Sequence, residues 1–130
     1  WGEMSAPSGV IDAPLGRDQR DPTRMAVLAG GKLARTNYEV RQAFSLPVSC
    51  SLLECGLETG RTHQIRVHLA TLGHSVVGDV VYGGARSVLS SPRPMLHATT
   101  LKFDHPVTGN EMKFDAEIPA DFAAILKKCS

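Results

Sequence analysis

Between Ala34 and Gly73 the hydrophobic period changes once, and that change fixes the order of the elements on either side. From Ala34 to Ala43 the residues alternate, with Thr36, Tyr38 and Val40 on one side and Arg35, Asn37, Glu39 and Arg41 on the other. Ser49 to Leu57 makes a second such stretch, so the spacing predicts two neighbouring strands with one polar face, as in an antiparallel sheet. After Gly60 the period lengthens. Ile65, Leu69 and Leu72 recur at i, i+4 and i+7, which predicts a helix with Thr62 at its N-cap and Gly73 as its stop.

The flanks add shorter pieces. Upstream, Pro7, Gly9, Pro14, Gly16, Pro22, Gly30 and Gly31 divide the chain into segments that read as turns or loops. Downstream, a Ser/Pro/Arg loop from Ala85 to Pro94 precedes two stretches, Leu96 to Phe103 and Met112 to Ile118. These read as strands joined through Pro106 and Thr108-Gly109-Asn110. Pro119 to Lys128 reads as a closing helix with Phe122, Ile125 and Leu126 on one face. Many strands and few helices place the chain in the α+β class, with a mixed or antiparallel sheet and flanking helices.

At 130 residues, 42% hydrophobic and 21% charged, the chain has the proportions of one globular domain rather than of a disordered segment. The formal net charge of +1 excludes a generally basic composition, so a polyanionic partner must be argued from where the charges lie. No apolar run approaches the roughly 18 residues of a spanning helix. Trp1-Gly2-Glu3-Met4 lacks the features of a secretion signal, which leaves the cytoplasm as the expected compartment; a start on tryptophan reads as a piece cut from a longer protein. Three cysteines make a poor disulfide framework, and Cys50 and Cys55, five positions apart on a strand, point to opposite faces, wrong for a shared metal.

Chemistry concentrates in Glu58-Thr59-Gly60-Arg61-Thr62-His63-Gln64-Ile65-Arg66-Val67-His68. On a helix, His63 and Arg66 fall on neighbouring sides of the first turn while Ile65 and Leu69 face the core. Arg61, His63 and Arg66 thus crowd cationic and donor groups against a helix N-terminus, where the dipole disfavours them. An anion resolves the conflict: a phosphate, or a carboxylate buried within the protein. A second basic concentration runs from Arg17 to Arg41 and includes Arg20, Arg24 and Lys32, either as phosphate contacts or as a solvated loop. His74, His97 and His105 read as hydrogen-bonded structural residues, and Asp79, between Gly78 and Val80, as a turn-former.

The run Leu57 to Ala70, followed by Leu72-Gly73-His74, Val77-Gly78-Asp79 and Tyr82-Gly83, closely resembles the C-terminal signature of the RluA/RluD-type pseudouridine synthases. Gly9-Val10-Ile11-Asp12, Leu96-His97-Ala98 and His105-Pro106-Val107-Thr108-Gly109 extend the likeness along almost the whole chain. The resemblance implies isomerisation of uridine to pseudouridine in RNA without metal or other cofactor. It also implies a large mixed sheet with the cleft across its middle, and three central residues: a nucleophilic or basic aspartate, a tyrosine near the base and an arginine paired with the aspartate. Matched by position, the arginine is Arg66. Arg61, His63, Arg17, Arg20 and Arg24 are then the candidates for RNA contacts, and Asp79 and His97 scaffold residues of the pocket wall.

The family's H-R-L-D motif, which carries the aspartate, does not occur in these residues. The chain therefore reads as the C-terminal portion, residues 1–130, of a catalytic domain whose other half is supplied in cis or in trans. Alone it is expected to be inactive, with Arg66 lacking its partner and an open sheet edge promoting association. Two other readings stand beside this one: an inactive RNA-binding relative acting in ribosome assembly, and a domain with no nucleic-acid partner.

Overall fold

Hydrogen bonding organises the chain around its longest strand. The computed structural model describes residues 1–130, in the order β1 (Ser8–Asp12), β2 (Leu15–Arg17), β3 (Met25–Val27), β4 (Arg35–Phe44), β5 (Cys50–Leu57), α1 (Gln64–Thr71), β6 (Thr100–Asp104), β7 (Glu111–Asp115) and α2 (Ala120–Lys127). β4 takes the middle of a three-stranded sheet, order β1-β4-β5. Every pairing is antiparallel, and β2-β3 and β6-β7 form two separate ladders. The mixed sheet anticipated from the family is thus, within this chain, three small antiparallel ones. No helix is long and apolar enough to cross a membrane.

The upstream segment departs most from expectation. Read as loops, it contains β1, β2 and β3, three to five residues each. Strands this short carry too few residues for a period, and β1 takes its register from residues far along the chain, with Ile11 opposite Thr36 and Gly9 opposite Tyr38. The downstream hairpin is tighter than expected, beginning at Thr100 rather than Leu96 and ending at Asp115 rather than Ile118.

A register shift between Val40 and Gln42 marks a β-bulge that re-aims the sheet. Leu52 and Leu53, adjacent in the unbulged β5, face opposite sides of the sheet and pack into different cores. Leu52 joins Trp1, Phe44, Cys50, Leu89 and Ile125, while Leu53 joins Ile11, Tyr38, Leu69 and Val76. Cys55 packs with the second group, so Cys50 and Cys55 do not share a core. A third cluster, Leu15, Ala34, Val67 and Tyr82, seats α1 against β2 and the loop after the helix.

Helix α1 ends as its sequence suggests. Gly73, at φ +83°, donates to Ala70 O, and His74 N–H donates to Leu69 O, the pair of bonds that closes a helix through a left-handed glycine. Its start is different: His63, not Thr62, occupies the N-cap, in the left-handed region at φ 54°, with no side-chain cap.

Candidate active site

Two buried polar residues lock α1 to β4 before any functional group is placed. Gln64 Nε2 donates to Arg35 O and Thr36 Oγ1, while its Oε1 accepts from Thr59 Oγ1 and Arg61 N–H. His68, fully buried, lies 2.8 Å from Thr36 Oγ1 through Nδ1 and 2.9 Å from Ala13 O through Nε2. The polar residues interleaved in the helical run are therefore not all solvent-facing, since Gln64 and His68 tie the helix to the sheet.

On the neighbouring face Arg66 meets Asp79. Nε donates to Oδ2 at 2.8 Å and Nη2 to Oδ1 at 2.9 Å, a two-point fork, with the arginine side chain 18% exposed and the aspartate 0%. The sequence expectation that Arg66 lacks a partner is thereby corrected: the buried carboxylate is in this chain, thirteen residues on. Asp79 is also the turn-former it was read to be, because Oδ1 accepts the N–H groups of Val81 and Tyr82. Burial pushes its carboxyl up, but Arg66 and those two N–H groups outweigh burial and hold it below the usual carboxylate value. The same fork pushes the Arg66 guanidinium up. Nη1 of Arg66 makes no hydrogen bond within the chain.

Tyr82 completes the cage. Its buried ring lies 5.0 Å from Arg66 Cζ and 5.2 Å from Arg24 Cζ, a guanidinium pair that favours the electron-rich face. Its hydroxyl accepts Met25 N–H at 3.0 Å and lies 2.7 Å from His63 Nδ1. The left-handed backbone of His63 costs about 1–2 kcal/mol. It brings the ring edge-on to Tyr82 with 5.6 Å between centroids. Burial, then the Arg66 charge, lowers the imidazole pKa, so at neutral pH His63 is an oriented uncharged ring and not the cation its place in a basic run suggests.

The predicted residues divide accordingly. Arg66, His63 and Arg24 meet around Tyr82. Arg61 and Arg17 lie on a neighbouring cleft, each anchored to a backbone carbonyl: Arg61 Nε to Leu33 O, Arg17 Nη1 to Pro22 O. Arg20 is exposed in a turn held by Asp18 and touches none of them. His97 lies 3.3 Å from Ala116 O, and His74 Nδ1 2.7 Å from Trp1 O, in structural positions. Sequence reasoning missed Asp79 as the arginine's partner and Tyr82 as the hub.

Residues 3–71, more than half of the chain, match the profile of the RNA pseudouridylate synthases. The chain belongs to that family. Among its relatives, an uncharacterised RNA pseudouridine synthase of Chloroflexus aurantiacus is 51% identical over 121 residues, covering 93% of this chain and 37% of that protein. The ribosomal large subunit pseudouridine synthase D of Nitrosomonas europaea is 47% identical over 126 residues, 92% of this chain and 36% of that one. The solved human RNA Pseudouridylate Synthase Domain Containing 1 superposes with a TM-score of 0.76 at 28% identity, covering 89% of this chain and 50% of that chain. This pseudouridylate synthase chain therefore spans less than half the length of the curated relatives it matches. Its α+β fold is that of a pseudouridylate synthase domain.

Proposed function

We propose that this chain supplies the arginine side of an active site that isomerises uridine to pseudouridine in structured RNA, ribosomal or transfer. The observation that carries the reading is the geometry of Arg66. Two of its nitrogens are committed to a fully buried Asp79 and its flat face to Tyr82, which leaves Nη1 oriented and unengaged. A guanidinium held this way gives a second anion a fixed donor with little ordering left to do. In this reading that anion is the carboxylate of the H-R-L-D segment, supplied by the remaining half of the domain in cis or in trans. The aspartate attacks or deprotonates, the N1 to C1′ bond of the extruded uridine breaks, the base turns, and C5 joins C1′ with loss of the C5 proton. Extrusion is required because the reacting atoms are inaccessible in a stacked helix. Arg61, His63, Arg17, Arg20 and Arg24 are the side chains we assign to the RNA, His63 as a neutral donor. The compartment we propose with this reading is the cytoplasm.

Release of tritium from 5-tritiated uridine RNA tests the reading. The protein containing both this chain and an H-R-L-D segment should release label, residues 1–130 alone should not, and Arg66→Ala in the larger protein should slow release at least about 100-fold. Turnover by residues 1–130 alone, or by the Arg66→Ala protein at the wild-type rate, overturns it.

A further inference from the structure

Beside the arginine cage lies a second feature that its chemistry does not use. A cleft of about 490 Å³ opens between β2, the turn before β4 and the loop before α1; it is lined by Arg17, Lys32 and Arg61 and by no carboxylate. The volume is in the range of small-ligand sites, roughly 300–1,000 Å³. Its walls are polar and glycine-rich rather than apolar, with Gly16, Gly30 and Gly60 among the lining residues. None of the three cations is in an ion pair, whereas Arg35, Arg41, Arg66 and Arg93 each are.

Each cation is set in place by backbone. The carbonyl anchors of Arg17 and Arg61 leave their remaining N–H groups free. Lys32 is fixed at its root, because its N–H donates to Leu15 O at 2.8 Å and its carbonyl accepts Leu15 N–H at 2.9 Å. Gly31 permits that approach, since a Cβ there would stand 2.7 Å from the Leu15 backbone. Gly60 is different: its φ lies outside the left-handed region and a Cβ would meet nothing within 4 Å. Neither contacts within the chain nor a left-handed φ calls for glycine there, so the wall at Gly60 is open backbone that an outside group can approach closely.

We infer that this cleft binds the sugar–phosphate backbone of a single-stranded stretch of the RNA substrate, with Lys32 as a phosphate ligand beside Arg17 and Arg61 and Gly60 as the open wall. The inference rests on the functional reading above and narrows it. The strand enters between β2 and the Gly60 loop, and the Arg61-Thr62-His63 run leads from the cleft directly to Arg66. Arg20 takes no part.

Binding of a short fluorescent oligouridine to the full chain, followed by anisotropy across about 50–200 mM salt, tests this. Loss of one phosphate contact on a single strand lowers the slope of log K against log salt by about 0.7. Lys32→Ala should show that reduced slope with weaker binding and an unchanged melting temperature, its backbone bridges being intact. Gly60→Val should weaken binding with the slope unchanged, because it fills space without removing charge. Lys127→Ala, on α2, should alter neither. A Lys32→Ala protein with the wild-type slope, a Gly60→Val protein with wild-type affinity, or a Lys127→Ala protein as weak as Lys32→Ala each overturns the cleft while leaving the uridine chemistry standing. A wild-type chain that binds oligouridine with no salt dependence overturns the cleft and the phosphate contacts of Arg17 and Arg61 together, while the uridine chemistry is judged separately by tritium release.

Discussion

Asp79 is ionised against its burial, and that makes it the residue on which the cage depends. Replacing it by alanine leaves the half-buried Arg66 without a counter-charge and the Val81 and Tyr82 N–H groups without an acceptor. Breaking such a pair costs about 3–5 kcal/mol, to be read from the urea midpoint of Asp79→Ala. The pH dependence follows from the direction of its shift. A carboxyl held below its unfolded value stabilises the fold above that value, about 4, and loses the contribution as pH falls through the folded one. Wild-type stability should therefore drop below about pH 4 more steeply than that of Asp79→Asn, which has no proton to take up there. Of this site the sequence showed half. Arg66 stands out because a cation at a helix start demands an anion, but nothing in the local pattern says that the anion sits in a glycine turn thirteen residues later. That pairing exists only once the loop after α1 folds back.

At the scale of elements, the joint between β4 and α1 is polar. Thr36 is fully buried and its hydroxyl lies within hydrogen-bond distance of both Gln64 Nε2 and His68 Nδ1. Thr36→Val keeps the shape and removes both partners, so denaturant titration should show a loss of about 1–3 kcal/mol despite the gain in apolar surface. β4, β5 and α1 were legible because each is long enough to display its period. β1, β2 and β3 were hidden because three to five residues beside glycines and prolines show none, and their strand character comes from the partner. The helix N-cap was misplaced for a related reason. Thr62 has the right side chain, but the Gln64 bonds to Thr59 and Arg61 draw the preceding turn inward and give the cap position to His63.

Across the whole molecule, what stays uncovered follows the same divide. The β6-β7 ladder presents Leu101, Phe103 and Phe114 to solvent, with the two phenylalanine rings stacked at 5.9 Å, and every residue of both strands except Met112 is exposed. Such an apolar ladder favours association. Light scattering should show residues 1–130 growing in mass with concentration, and the double variant Phe103→Lys, Phe114→Lys should stay monomeric over the same range; a wild-type chain monomeric throughout contradicts this. The near-zero net charge said nothing of the cleft, whose three cations are brought together by turns that no composition records.

The four bonds of Gln64 carry a mechanical consequence. They clamp the Arg61 turn, the start of β4 and the first residue of α1 into one piece, so the wall of the cleft and the mount of Arg66 have no hinge between them. In the proposed complex, a strand seated in the cleft would load the arginine's support directly, as a hand on the frame moves the lens, and the grip on the backbone would set the alignment of the distant base.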